Sequence, residues 1–272
     1  MVNQLIKGTA AGEATDFLNT ASTRDAGLDS PWWITRLFHS LWSKRALCII
    51  GSYASGKSRL FQYITTSEDF DVAEPNPPTI HTATARHRRI GSQDFKTVND
   101  FGGDEELDAK WIEFIGKYLP VAIILVVDLA GLVDKKSGKF DPRARRRVKL
   151  RNKIVTANTR MKQHISKFNS LSMAVEDARP AYERREEQRR LTGILVLINK
   201  WDQWTSDDNA LDGQNVAAFI QEVRDQVPKI DQLEQDHSFD VIWRPISLRT
   251  DLRSTTQMAL TDFADQLSAR ES

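Results

Sequence analysis

Eight consecutive residues, Gly51-Ser52-Tyr53-Ala54-Ser55-Gly56-Lys57-Ser58, fit the pattern G-x-x-x-x-G-K-[ST]. A loop of this kind turns successive backbone N–H groups toward one point, and the anion that suits it is a polyphosphate. Gly51 and Gly56 permit the tight path. Lys57 has the reach to meet β- and γ-phosphates, and the Ser58 hydroxyl is a hard oxygen donor for Mg²⁺. The rival reading is a chance turn rich in glycine and serine. The flanks argue against it: the apolar run Ala46-Leu47-Cys48-Ile49-Ile50 leads in, and Arg59-Leu60-Phe61-Gln62-Tyr63-Ile64 follows at helical spacing. A strand, a loop and a helix in that order aim the loop at its ligand.

Further signals follow in chain order. Asp100-Phe101-Gly102-Gly103 is D-x-x-G at a strand end, where Asp100 can hold Mg²⁺ through water and the Gly103 N–H can meet a γ-phosphate. Asn199-Lys200-Trp201-Asp202 is N-K-x-D after the apolar run Gly193–Ile198. The Asp202 carboxylate can accept N1–H and N2–H of guanine together, a pair adenine lacks, and a site built for that pair rejects the wrong base because its buried carboxylate is left unsatisfied. Asn199 can brace the loop, and Lys200 can lie over the base. Between the first two motifs, Pro78-Thr79-Ile80 offers Thr79 to close over Mg²⁺ and the γ-phosphate, with Thr82 and Thr84 as rivals. After the last strand, Ser247 and Leu248 can present backbone N–H groups to the guanine O6.

The elements that must position these residues can be read from periodicity. Strands are expected near 45–50, at Val121–Asp128, Gly193–Ile198 and Asp240–Ile246, with an antiparallel pair over Thr82–Ile90 and Asp94–Asp100 turned at Gly91-Ser92-Gln93. Helices are expected near 57–66, Glu105–Tyr118, Gln214–Gln226 and Thr255–Leu267. Strands alternating with helices give an α/β, three-layer fold around a mostly parallel sheet. Two segments exceed its needs. Residues 1–44 form an N-terminal extension whose helix, opened by Asp29-Ser30-Pro31, carries Trp32, Trp33, Leu37, Phe38, Leu41 and Trp42 on one face. Residues 132–190 are long and highly charged, and Asp141-Pro142 as a start with Pro180 as a break suggests an insertion of two long helices or a helical arm. Residues 45–272 make up the rest of the domain.

Composition narrows the class. Lys+Arg 38 against Asp+Glu 37 gives a formal charge of +1, so the chain as a whole attracts neither nucleic acid nor membrane. The single cysteine, Cys48, sits in an apolar strand and reads as a small buried hydrophobe, which fits a reducing, cytoplasmic setting. No signal core, lipidation motif or span-length apolar run is present, and His164 and His237 lack companions at metal-ligand spacing.

Together these residues resemble the Ras superfamily of small GTPases. The Asp100-Phe101-Gly102-Gly103-Asp104-Glu105 stretch with Trp111, the Pro78-Thr79-Ile80 switch and Ala54 in the loop are most similar to the ADP-ribosylation-factor branch and the signal-recognition-particle receptor β-subunit. Size and the long insertion also resemble bacterial GTPases of conflict systems. The resemblance spans about 45–131 and 191–270. It implies a GTP/GDP-binding, Mg²⁺-dependent GTPase that acts as a switch, with Lys57, Thr79, Gly103 and Asp104 around the reaction. It also implies a protein partner at the switch loops, the N-terminal helix or the insertion. Two departures bear on rate. Asp104 stands where the family has a water-orienting glutamine. A carboxylate there cannot donate to the γ-phosphate, and its charge costs about 1–4 kcal/mol at 4 Å. Tyr53 replaces a glycine and crowds the approach of a partner's arginine. Slow turnover follows. A GTP-loaded interaction module with negligible hydrolysis is the alternative, and a P-loop ATPase with an accidental N-K-x-D stands third.

Arg143, Arg145, Arg146, Arg147, Lys149, Arg151 and Lys153 crowd one segment. They read either as a nucleic-acid or acidic-partner patch or as a solvated helix neutralised by Glu183, Glu186 and Glu187. Arg86, His87, Arg88 and Arg89 flank switch I and read as a solvent-facing strand edge rather than as an arginine finger supplied in cis.

Overall fold

The computed structural model describes residues 45–65, 82–90, 93–103, 108–134, 136–150, 153–185, 191–199, 210–236, 240–246 and 253–271. The N-terminal extension expected over 1–44 lies outside them. Eight strands and six helices are described: β1 Ala46–Gly51, α1 Lys57–Thr65, β2 Ala83–Ile90, β3 Gln93–Asp100, α2 Asp108–Tyr118, β4 Ala122–Asp128, β5 Arg147–Leu150, β6 Lys153–Thr156, α3 Ala157–Glu183, β7 Gly193–Asn199, α4 Ala210–Gln226, α5 Lys229–Asp236, β8 Asp240–Ile246 and α6 Arg253–Glu271.

Three strands are apolar almost throughout because both of their faces are covered. Along β1, Cys48 and Ile50 face one side while Leu47 and Ile49 face the other; β4 and β7 alternate in the same way. Each fully buried Val, Leu or Ile removed from water contributes about 1.5–3 kcal/mol. These central strands therefore dominate the sheet's stability. The sheet order is β2-β3-β1-β4-β7-β8. β1, β3, β4, β7 and β8 pair in parallel, and β2 alone is antiparallel, returning on β3. Helices α1 and α6 cover one face, and α2, α3, α4 and α5 cover the other. This is the three-layer α/β fold around a mostly parallel sheet expected from the sequence.

The edge strands differ from the centre. β2 carries Arg89 exposed, whereas Arg86 and Arg88, expected to face solvent, are half-buried; β8 carries Arg244 and an exposed Pro245.

The segment between β4 and β7 departs from expectation. It does not hold two long helices. Asp141-Pro142 opens a turn in which Asp141 Oδ1 accepts from the Arg143 N–H at 3.2 Å, and a two-stranded hairpin, β5–β6, follows. The alternation Arg147-Val148-Lys149-Leu150, exposed-buried-exposed-buried, is a strand signal that the density of charge obscures. Thr156 then caps α3: its Oγ1 accepts from the Thr159 N–H at 3.1 Å, a cap worth about 1 kcal/mol. α3 continues through Pro180 to Glu183 without a break. It is the crossover helix of the sheet rather than a projecting arm, burying Met161, Phe168, Leu171, Val175, Ala178 and Tyr182 at helical spacings of three, four and seven. The basic run is likewise no helix. Arg143, Arg145, Arg147, Lys149 and Lys153 are exposed on the hairpin and the turn before it, and Arg146 ties that turn down through Asp134 at 3.2 Å. The Glu183 carboxylate accepts from Arg179, four residues earlier in α3.

Candidate functional site

The phosphate loop forms where β1 ends. Gly51 is required there: a Cβ would lie 2.3 Å from the Val126 carbonyl oxygen of the neighbouring strand. Beyond it the Ser55 N–H donates to the Ser52 carbonyl at 3.2 Å, and the Leu60 N–H donates to the Gly56 carbonyl at 3.0 Å as α1 begins. Gly56 takes φ 103° and Ala54 φ 58°. A left-handed residue here curls successive N–H groups inward, the concave nest that holds anions. For Ala54 the conformation costs about 1–2 kcal/mol, strain held by the surrounding packing. Lys57, Ser52 and Ser55 are buried in this cradle.

Gly103 meets the same cradle from β3. A Cβ at this glycine would stand 2.7 Å from Lys57 Nζ and 2.8 Å from the Tyr53 backbone nitrogen. No side chain fits, which is the physical reason for glycine in this D-x-x-G. Asp100, three residues earlier, ends β3 beside Ile49 of β1 and is 1% exposed. Asp100 and Ser58 contribute hard oxygen donors next to a phosphate cradle, a set that fits Mg²⁺, which commonly takes one or two protein oxygens and completes its shell with phosphate and water. Cys48 is buried in β1; burial first, then the nearby Asp100 charge, pushes its thiol well above the ordinary value, consistent with an inert core residue.

Asn199 closes the site from the sheet's other half. Its Nδ2 donates to the Ser55 carbonyl at 2.8 Å, tying the end of β7 to the phosphate loop. Thr84 is committed elsewhere: its Oγ1 donates to Asn99 Oδ1 at 2.8 Å across the β2–β3 pair. Thr79, Asp104, Lys200, Asp202, Ser247 and Leu248 lie outside the described residues.

Sequence reasoning did not find what stands behind the loop. Ser52 Oγ lies 2.9 Å from His164 Nδ1, and His164 Nε2 lies 2.8 Å from the Asp128 carbonyl. That carbonyl can only accept, so in the neutral ring Nε2 carries the hydrogen and the Ser52 hydroxyl donates to Nδ1. One turn earlier, Arg160 binds the Asp128 carboxylate in an ion pair with both side chains fully buried. Asp128 Oδ1 also accepts from the Ala130 N–H at 2.9 Å. Helix α3 therefore grips both the phosphate loop and the end of β4. The partners are separated by 112 residues for Ser52–His164 and 32 for Asp128–Arg160, so no local pattern announces them.

The hairpin covers the loop from outside. Val148, Leu150 and Val155 pack with Ala130, Tyr53 and Ala54. Lys153 Nζ sits 4.7 Å from the Tyr53 ring centroid.

No family model and no curated protein matches the chain. Among solved structures, the Arl6 small GTPase from Trypanosoma brucei, with bound GppNp, is 16% identical, with 84% of this chain and 99% of that one covered at a TM-score of 0.49. The mammalian SRP receptor is 15% identical, covering 81% and 100% at 0.48. The SRβ-GTP/SRX complex from Chaetomium thermophilum is 12% identical, covering 79% and 97% at 0.47. The reading of the site rests on its own geometry. Among the described residues no helix is long and apolar enough to cross a membrane.

Proposed function

We infer that this chain binds GTP and GDP at the Gly51–Ser58 loop with Mg²⁺, and that it hydrolyses GTP slowly as a nucleotide-dependent switch. The observation that carries the reading is the convergence on one cradle: a left-handed loop with Lys57 buried in it, Gly103 pressed against Lys57 Nζ, and Asn199 hooked to Ser55. The N-K-x-D loop that would read the base starts from the asparagine that holds the phosphate loop, so phosphate and base would be held at a fixed separation.

In this reading Lys57 and the loop N–H groups neutralise the phosphates, and the Gly103 N–H meets the γ-phosphate. Ser58, Asp100 and Thr79 would hold Mg²⁺, which supplies charge neutralisation at the β- and γ-oxygens. Asp202 selects guanine, and Ser247 and Leu248 approach its O6. Asp104, in the water-orienting position, accepts a proton but donates none, so catalysis rests on positioning and charge. The carboxylate also favours the second reading, a GTP-loaded interaction module with negligible turnover. Partner contact belongs to the loops around 76–104 and to the segments that exceed the sheet's needs.

Competition of labelled GTP by GTP, ATP and XTP tests the reading. GTP displaces the label and ATP does not, while Asp202→Asn moves preference toward XTP because an amide donor replaces the carboxylate acceptor. Displacement by ATP as effective as by GTP overturns it. Single-turnover hydrolysis separates switch from module: a measurable slow rate that rises in Asp104→Gln marks the switch, and no hydrolysis in either chain marks the module.

A further inference from the structure

Charge is unevenly spread along this chain. Residues 135–153 hold ten lysines and arginines against one carboxylate, Asp141, for a formal +9. The whole chain carries +1, so the residues outside that segment sum to −8. Asymmetry of this size in a near-neutral molecule serves association more than solubility. The structure places cations on the turn before the β5–β6 hairpin and on the hairpin's outer side. Lys139, Arg143, Arg145, Arg147 and Lys149 are exposed, and among the described residues none of their side chains makes an ion pair. Glu183, one carboxylate that could neutralise the run, is held by Arg179 of its own helix instead. The inner row of the hairpin, Val148, Leu150 and Val155, packs against Tyr53, Ala54 and Ala130. The outer row is then Arg147 and Lys149 of β5, with Thr156 and Ile154 directly across from them on β6. Ile154 is 66% exposed, more than any other large apolar side chain described.

A lone exposed isoleucine on a strand is ordinary. Set across from Lys149, it gives the surface two chemistries: charge that attracts from a distance, and an apolar contact that forms only when a partner excludes water. We propose that the turn and the outer side of the hairpin dock a short acidic segment of a partner protein, with carboxylates on Arg145, Arg147 and Lys149 and an apolar side chain on Ile154. Guanidinium groups suit carboxylates because they bind both oxygens at once. A single-stranded nucleic acid would want aromatic rings to stack its bases, and the outer row supplies none. A duplex or an anionic bilayer outruns the patch and meets the −8 of the remaining chain. Two strands of four residues, each about 13 Å long, match a short segment. The proposal rests on the reading of 132–190 as a partner surface and is independent of the nucleotide reading.

Fluorescence anisotropy of labelled peptides titrated with the full chain tests it. One probe is a glutamate peptide of about twelve residues with a single central leucine, and the other is all glutamate at the same length. The leucine-bearing peptide is expected to bind about fivefold more tightly, and Ile154→Ser removes that advantage while leaving the all-glutamate peptide unaffected. Combined Arg145→Glu, Arg147→Glu and Lys149→Glu weakens both peptides by more than about a hundredfold, because like charges then face each other. All four positions are exposed, and circular dichroism checks that the variants fold. A uridine oligonucleotide, a DNA duplex and phosphatidylserine vesicles are titrated alongside. Binding of any of these as tight as that of the leucine-bearing peptide overturns the proposal in favour of a nucleic-acid or membrane surface. No binding of either peptide overturns it, as does Ile154→Ser without effect or the triple reversal without effect. GTP binding is measured on the same chains: its absence beside intact peptide capture removes the nucleotide reading alone.

Discussion

The two faces of the central sheet are held by different means. On one, α1 and α6 bury Leu60, Ala259, Leu260, Phe263, Ala264 and Leu267 against β1, β4 and β7; apart from the loop lysine Lys57, the described side chains buried from these two helices carry no charge. On the other, α3 buries Arg160, His164, Lys167 and Ser172 among its apolar residues. Arg160 meets Asp128, His164 meets Ser52 and the Asp128 carbonyl, and Lys167 meets Asp108 in the first turn of α2. Burying charges costs several kcal/mol per ion before pairing repays it. A fully apolar helix would hold the sheet with less expense. The polar contacts concentrate on α3, which meets the Gly51–Ser58 loop, the end of β4 and the start of α2. One face is built for cohesion, and the other fixes the relative positions of the pieces around the Gly51–Ser58 loop.

The largest break in this contrast is Asp128→Ala. It strands the Arg160 guanidinium in the core and orphans the Ala130 N–H, so a loss of about 3–5 kcal/mol in unfolding free energy is expected from urea titration. A loss near zero would mean that the charged face is no different from a solvated surface. On the apolar face, Leu260→Ala leaves a cavity worth about 2–4 kcal/mol. Its effect should appear in stability with nucleotide affinity unchanged, whereas Asp128→Ala should lower both. At the hairpin, Gly131→Ala places a methyl 1.9 Å from Val148 Cγ2 at a φ of 73°, for a cost of about 2 kcal/mol. Val148→Ala in the same chain should recover the steric part, a positive coupling in a double-mutant cycle. The smallest effect is Ala54→Gly, which relieves the left-handed alanine and should raise stability by at most about 1 kcal/mol. Destabilisation there would mean that the alanine's packing under the hairpin outweighs its strain.

The sequence makes the central strands and the phosphate loop legible for one reason: their signals are local. An apolar run covered on both faces, a glycine-lysine loop after it and a helix at its end can each be read within ten residues. The antiparallel return of β3 on β2 and the approximate course of α2, α4 and α6 follow in the same way. What could not be read depends on distance along the chain. Arg160, His164 and Lys167 look like surface residues until Asp128, Ser52 and Asp108 are brought to them. Their charges also hide the apolar spacing Met161, Ile165, Phe168, Leu171, Val175, Ala178 and Tyr182 that marks α3 as a core helix. The hairpin is masked by arginines and lysines occupying the outward half of its alternation, and α5 by its brevity.

The outermost strands of the described sheet have a consequence for the protein in concentrated solution. A strand with one open side is a template on which another molecule can add a strand, the first step of fibrous or amorphous association. β2 lines that side with Arg86, Arg88 and Arg89, so two copies approaching edge to edge bring like charges together. β8 at the opposite end sets Pro245, which has no N–H to offer, beside Arg244. A molecule with a formal charge of only +1 has little long-range repulsion to keep its copies apart. Among the described residues these two outermost strands therefore carry side chains that make each a poor partner for its own kind.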